Sequence, residues 1–282
     1  MTGAPAKWER ALSAGLERLS MVRYEAGARS PADDHVAVEE PLEIRIAGET
    51  FAVTMRTPGH DEELVLGLLL AEGIVHSAGE VGAIAHCGKP GERGNVIDVT
   101  AAPGTVIDWE PEGALRRATL TTSACGVCGR RSIDDLLARV RPLVDYARFS
   151  EPWLRRLTAA LGPRQENFAR SGGAHAAALC DPSGQLAIVR EDVGRHNALD
   201  KVVGRRALDA GLPAAGCALI VSGRASFELV QKAIVAQAPL LVSVSAPSSL
   251  AVSAARAARL TLVGFARGQR FNVYAGEERI VA

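Results

Sequence analysis

The chain has 282 residues, 48% hydrophobic and 23% charged, enough for a sizeable core and against global disorder. A formal net charge of +0 and an aromatic content of 4% exclude nucleic-acid binding through bulk charge or base-stacking platforms, so any anion site must be local. The five cysteines, Cys87, Cys125, Cys128, Cys180 and Cys217, are odd in number and mostly isolated, which excludes a disulfide framework and fits a reducing, cytoplasmic setting.

Residues 1–33 mix Ala, Gly and Pro with scattered charge. They read as a loose segment with a short amphipathic helix over 11–21. No apolar signal core opens the chain and no apolar run approaches membrane-spanning length, so no membrane association is expected. Alternation over 36–55 predicts a hairpin, with Leu42, Ile44 and Ile46 on one face and the turn at Ala47-Gly48-Glu49-Thr50. Thr57-Pro58-Gly59 breaks it. A helix follows over 62–72, carrying Leu64, Leu68 and Leu69 and stopped by Gly73. Short strands are expected over 81–86, 95–100 and 105–109. Together, residues 34–113 read as a small α+β domain.

A β-prone run over 115–122 leads into Cys125-Gly126-Val127-Cys128-Gly129, and Ser132 with Asp135 marks a helix start behind it. In such a strand-to-helix turn, the positive helix end favours thiolate over thiol. The spacing alone leaves three readings open: half of a zinc site, a dithiol redox pair, or a sulfur-handling nucleophile. No second Cys-x-x-Cys completes a four-ligand zinc site.

The second half has a different rhythm. A helix over 152–167 precedes strands over 174–180 and 185–190, joined by Asp181-Pro182-Ser183-Gly184. Helices over 197–210, 227–236 and 249–258 then alternate with strands over 217–222, 240–245 and 261–266. A last strand covers 270–274. Residues 114–282 thus read as a layered α/β domain, in which ligands gather at loops beyond the strand ends.

Five polar loops fall there: 171–175, 190–197, 222–226, 246–249 and 264–270. Ser222, Gly223 and Arg224, with Arg195, His196, Arg267 and Arg270, are the ingredients of a phosphate-binding site at helix N-termini. Plainer roles compete. Ser226, Ser248 and Ser249 serve as N-caps, Gly194 and Gly223 as turn residues, Asp192 with Arg195 as a surface ion pair, and His196 as a satisfied interior histidine. His60-Asp61-Glu62 ahead of a Cys-x-x-Cys is also reminiscent of zinc deaminases, although Asp61 and Glu62 open a helix where acids are favoured anyway.

Seven stretches, 57–74, 121–133, 172–179, 190–201, 222–233, 244–252 and 264–274, resemble the FdhD/NarQ family of formate dehydrogenase accessory sulfurtransferases. Arg190-Glu191-Asp192-Val193-Gly194-Arg195-His196-Asn197 and Ser245-Ala246-Pro247-Ser248-Ser249-Leu250 are long and specific. The resemblance implies a cytosolic homodimer whose larger domain is cytidine-deaminase-like in fold, without deaminase chemistry. It implies that sulfur from a cysteine desulfurase is held as a persulfide on Cys125. That sulfur then passes to the molybdenum or tungsten of a bis-guanine-dinucleotide pterin cofactor, bound as substrate, for the catalytic subunit of formate dehydrogenase. No resident metal is implied. The family's cofactor segment corresponds to Phe265, Ala266, Arg267, Gly268, Gln269 and Arg270. Cys128 resolves the persulfide or steers it. Ala124 departs from the more usual serine, while both cysteines and both following glycines are present. The competing readings are a non-enzymatic guanine-nucleotide cofactor chaperone with structural or zinc-bound cysteines, and a zinc nucleoside deaminase relative.

Overall fold

The computed structural model describes residues 15–89, 94–109, 142–144 and 147–282. From Leu16 onward, the expected loose start and short helix are replaced by an antiparallel hairpin of β1 (Leu16–Glu25) and β2 (Ala28–Ala37). Leu16 and Leu19 sit at the spacing of one helical face, which is compatible with a helix as well as a strand. The deciding signal is the two-residue turn Ala26-Gly27, with φ of 48° and 83°, the type I′ geometry that joins strands.

The second hairpin, β3 (Glu40–Ile46) and β4 (Glu49–Arg56), forms as expected, with its turn shortened to Ala47-Gly48. Helix α1 (Asp61–Glu72) ends at Gly73, whose left-handed φ of 70° lets its N–H cap the last carbonyls. Strands β5 (Val81–His86) and β6 (Val96–Ala101) complete a four-stranded sheet of order β4-β3-β6-β5. No strand forms over 105–109; Trp109 instead meets Phe51 edge-on at 5.8 Å. The expected boundary at 113/114 lies outside the described residues.

After β7 (Phe149–Ser150), α2 (Glu151–Leu161) starts on the Ser150 cap and Pro152. The expected helix over 152–167 breaks at Gly162-Pro163, because proline has no N–H to continue the ladder; α3 (Glu166–Ser171) restarts it. Then come β8 (His175–Cys180), β9 (Leu186–Asp192), α4 (Arg195–Ala210), β10 (Ala218–Val221), α5 (Phe227–Val235), β11 (Leu240–Ser243), α6 (Ser249–Ala257), β12 (Thr261–Arg267) and β13 (Arg270–Ala275). Finally, β14 (Ile280–Val281) pairs with β7. The six-stranded sheet has order β13-β12-β11-β10-β8-β9. Only β10, β11 and β12 run parallel, joined through α5 and α6; the outer pairings are antiparallel.

The strand residues alternate between two apolar clusters. Leu219, Leu241 and Leu262 face α4, α5 and α6, and that cluster continues through α1 into Leu42, Ile44 and Ile97 of the four-stranded sheet. Ile220, Val242 and Val263 face Leu154, Leu157 and Leu161 of α2. The chain is therefore a mixed α/β body with helices on both faces of the larger sheet.

What joins the two sheets is the crossing of α1 and α4. A Cβ at Gly67 would lie 2.0 Å from the Asp200 carbonyl oxygen, and one at Gly204 would lie 1.9 Å from that of Glu63. Glycine at both points lets the backbones touch. Charge then anchors each helix to a neighbour: Arg190 of β9 grips Glu63 of α1 with Nε at 2.5 Å and Nη2 at 2.8 Å, Lys232 Nζ of α5 reaches Asp200 of α4 at 2.6 Å, and Arg205 of α4 lies 3.7 Å from Glu63 across the crossing itself.

Alanine at either glycine gains roughly 1 kcal/mol of helix propensity. Forcing a methyl into backbone contact costs about 1–3 kcal/mol or more, so the loss wins. Gly67→Ala and Gly204→Ala should each lower the urea midpoint; a higher midpoint contradicts the contact. Burial opposes the charge on Glu63, yet Arg190 and then His60 overcome it and bring the carboxyl down from 4.5 to about 2. A lowered folded-state value contributes stability above the unfolded value and loses it as pH falls toward the folded one. The Glu63 contribution, on the order of 3 kcal/mol, should therefore vanish between about pH 4.5 and 2. Glu63→Gln should be less stable at neutral pH and should flatten that part of the acid stability profile; an unchanged acid slope contradicts this.

Candidate functional site

Strand direction gathers the polar loops. Ala177 of β8 lies opposite Val221 of β10, and Asp192 of β9 opposite His175 of β8, each pair antiparallel. The start of β8, the end of β9, the ends of the parallel strands β10, β11 and β12, and the β12–β13 turn thus lie along one sheet edge. All five polar loops are there.

These loops are tied to one another. The Ser222 hydroxyl accepts from the Ala176 N–H at 2.9 Å, and the Ser243 hydroxyl donates to the Gly223 carbonyl at 2.7 Å. Ala225 N–H donates to the Ala246 carbonyl at 3.1 Å, and Ser248 N–H to that of Ala225 at 3.0 Å. Phe265 N–H donates to the Ser245 carbonyl at 3.0 Å, and Arg267 Nε to that of Val244 at 2.9 Å. Gln269 accepts from Arg155 of α2 at 2.8 Å. A Cβ at Gly264 would meet the Tyr274 ring at 2.9 Å and Pro247 at 3.0 Å, so only glycine lets the loops close. Phe265 is exposed at a left-handed φ of 52°, where the β12–β13 register shifts, a strained placement for an aromatic residue. Beyond it Arg267 and Arg270 lie opposite each other across the turn, both exposed, with Gly268 at φ 57° between them. Ala266 is buried against α2.

The stretch from Asp192 to Asn197 is set from beneath. Asp192 is fully buried. Its Oδ1 accepts from Gly194 N–H at 2.8 Å and Asn197 Nδ2 at 3.1 Å; its Oδ2 accepts from Thr57 N–H at 3.1 Å and lies 2.7 Å from Lys201 Nζ. Lys201 also donates to the Thr57 carbonyl at 2.8 Å, and Val193 N–H to the Thr57 hydroxyl at 3.0 Å. This corrects the surface pair expected between Asp192 and Arg195: the partner is Lys201, in the interior.

Arg195 instead turns toward Gly223 and His175. A Cβ at Gly223 would lie 3.4 Å from His175 Nδ1 and 3.5 Å from Arg195 Cδ. Arg195 Nε is buried with no hydrogen-bond partner among the described residues. Burial, then the positive charges of Arg195 and His196, push the His175 imidazole below its usual value, toward the neutral form. His196 Nε2 lies 2.7 Å from Glu228 and 3.2 Å from the Ser226 hydroxyl, so this ring is already engaged. Arg224 is exposed beside them.

The structure thus brings together Arg195, His196, Ser222, Gly223, Arg224 and residues 265–270. Cys125 and Cys128 lie outside the described residues. Sequence reasoning placed His175 in one of the five polar loops but missed Glu228, Thr57 and Lys201 as parts of this edge. Lys201 was findable, since it follows Asn197 by four residues on the buried side of α4. Cys180 and Cys217 are buried, and burial pushes the Cys180 thiol up to about 12, so it is no thiolate at neutral pH. In the His60-Asp61-Glu62 stretch, Asp61 is held by Arg56 at 3.0 and 3.1 Å, with His86 at 3.4 Å. Among the described residues no group of three or more His, Cys, Asp or Glu could hold a metal ion, and no helix is long and apolar enough to cross a membrane.

Comparison with known proteins fits this picture. The family model of the FdhD/NarQ family matches residues 37–281. A sulfur carrier protein FdhD from Anaeromyxobacter dehalogenans is 54% identical over 260 residues, covering 88% of each chain. One from Streptomyces avermitilis is 48% identical over 271 residues, covering 94% of this chain and 95% of its own. The crystal structure of a protein described as a formate dehydrogenase accessory protein, from Desulfotalea psychrophila, superposes with a TM-score of 0.74 at 26% identity, covering 94% of this chain and 99% of that one. The chain belongs to the FdhD/NarQ family.

Proposed function

We propose that this protein is a cytoplasmic sulfurtransferase serving formate dehydrogenase. It takes sulfur from a cysteine desulfurase as a persulfide on Cys125. It passes that sulfur to the molybdenum or tungsten of a bis-guanine-dinucleotide pterin cofactor, its bound substrate. The observation that carries this reading is the convergence of five Gly-, Ser- and Arg-bearing loops on one sheet edge in a chain with no net charge. A ligand with two dinucleotides carries four phosphates, and that edge concentrates Arg195, Arg224, Arg267 and Arg270 where they can be met. The names of the relatives support the same assignment. The layered body with this edge is read as cytidine-deaminase-like, and the protein as a homodimer.

The Cys125 thiolate attacks the outer sulfur of the donor's persulfide, and the donor cysteine leaves as thiolate. The Cys128 thiolate then attacks the inner sulfur of the Cys125 persulfide. A Cys125–Cys128 disulfide forms and the outer sulfur departs as sulfide, reduced by two electrons. Arg267 and Arg270 hold a pyrophosphate. Phe265 offers an exposed ring at the same place for a guanine to stack on.

Two experiments test this reading. After incubation with a cysteine desulfurase and cysteine, mass spectrometry should find one added sulfur on the Cys125 peptide, and none there in Cys125→Ala. Addition at Cys128 alone, or none at all, contradicts the assignment. Arg270→Ala should weaken GDP binding about 10- to 100-fold by calorimetry, the worth of a charge-assisted hydrogen bond. Arg267→Ala should cost as much or more, because it also releases the Val244 loop. Unchanged affinity in both variants removes the pyrophosphate from this turn.

A further inference from the structure

The turn between β12 and β13 is held by an arginine that belongs to neither strand. Arg155 stands on α2, 114 positions before Gln269, and donates from Nη1 to Gln269 Oε1 at 2.8 Å. Its helix is fixed beside this turn by packing. Leu154, Leu157 and Leu161 share one apolar cluster with Ala266, which lies within the segment 265–270. Glu151, one helical turn before Arg155, takes the Nη2 end of the guanidinium in an ion pair. Arg155 Nε is buried with no hydrogen-bond partner among the described residues, so the two Nη ends carry the side chain's contacts.

The direction of the Arg155–Gln269 bond decides what Gln269 presents. A guanidinium only donates, so the atom that faces it has to be the amide oxygen. The amide nitrogen, with its two N–H groups, is therefore turned away from Arg155. Gln269 is exposed and makes no other side-chain hydrogen bond among the described residues. An unrestrained glutamine rotates and offers its oxygen as readily as its nitrogen. Beside a phosphate the oxygen repels and the N–H groups attract. Gln269 also lies between Arg267 and Arg270, which face each other across the turn. Like charges placed opposite each other are unfavourable, and neither arginine has a carboxylate partner among the described residues, so the turn is built for an anion.

We infer that Arg155 is a positioning residue for the phosphate-bearing ligand: it locks the Gln269 amide so that its N–H groups, and not its oxygen, meet the phosphates held by Arg267 and Arg270. Arg155 touches Gln269 and acts through it. Glu151 in turn fixes the plane of the guanidinium, so the orientation of the amide is set by α2, outside the cofactor segment. The ordering cost of this side chain is met before the ligand arrives. This inference rests on the pyrophosphate site proposed above and adds to it a residue from another element.

The test is a double-mutant cycle on the full chain, read by calorimetric titration with GDP and by thermal melting. Arg155→Met and Gln269→Met should each weaken GDP binding about threefold to tenfold. The double variant should bind within about twofold of Gln269→Met alone, because the arginine then has nothing left to orient. Gln269→Glu keeps an acceptor for Arg155 and should melt no lower than the parent. It sets a carboxylate oxygen where the N–H groups were, so GDP binding should fall about tenfold or more. A tie that merely fastens α2 to the turn predicts unchanged GDP affinity in Gln269→Glu. Simple loss of a positive charge predicts that Arg155→Met costs as much in the Gln269→Met background as in the parent. Either result, or parental affinity in Arg155→Met, would overturn the inference. If Arg270→Ala still weakens GDP binding in that case, the pyrophosphate site stands and only the role of Arg155 falls; if Arg267→Ala and Arg270→Ala are silent as well, both fall.

Discussion

One buried carboxylate organises this molecule. Asp192 ends β9, has no exposure, and is met by two N–H groups, one amide and one ammonium. Three of these donors come from its own neighbourhood, Gly194, Asn197 and Lys201, and one from Thr57 at the end of the smaller sheet. Breaking a buried pair of this kind by removing one partner costs about 3–5 kcal/mol, because the other charge is left uncompensated. The contact therefore fixes two things at once: how the two sheets sit, and where α4 begins. The touching of α1 and α4 at Gly67 and Gly204 fixes the same relation from the other side.

From that constraint the sheet edge follows. With Asp192 committed to Lys201, Arg195 is released from the pair that its sequence position suggests and turns to Gly223 and His175. The loops after β10, β11 and β12 are stitched by backbone hydrogen bonds, each loop to the next. The edge is thus assembled in advance, with its serine hydroxyls largely spent on structure, Arg195 turned toward Gly223 and His175, and Arg224, Arg267 and Arg270 exposed. This division explains how a chain of zero net charge can present a local field suited to phosphates. Preorganisation of this kind lowers the ordering cost of binding.

Much of this was legible. Alternating strand and helix periods placed every element from 175 to 275 within a few residues, and the rule that ligands collect beyond strand ends picked the five loops. What failed did so for local reasons. The first hairpin was hidden because Leu16 and Leu19 also fit the spacing of one helical face and Ala26-Gly27 is a weaker turn signal than Asn-Gly. The 152–167 helix was overextended through Gly162-Pro163. The Thr57 side of the Asp192 contact was not legible, because Thr57 is 135 positions away from Asp192; the spacing of Lys201 from Asn197 marks the lysine as buried but does not name its partner. Proximity of His175 to Arg195 is likewise a product of strand order, which periodicity does not encode.

The central claim is that the guanine-dinucleotide ligand lies along the edge formed by the ends of β10, β11 and β12. Hydrogen–deuterium exchange of the full chain with and without saturating GDP measures this directly. Slowed exchange confined to peptides covering 222–226, 244–248 and 264–270 is the predicted outcome. Slowed exchange confined to the four-stranded sheet, with these three segments unchanged, would contradict it.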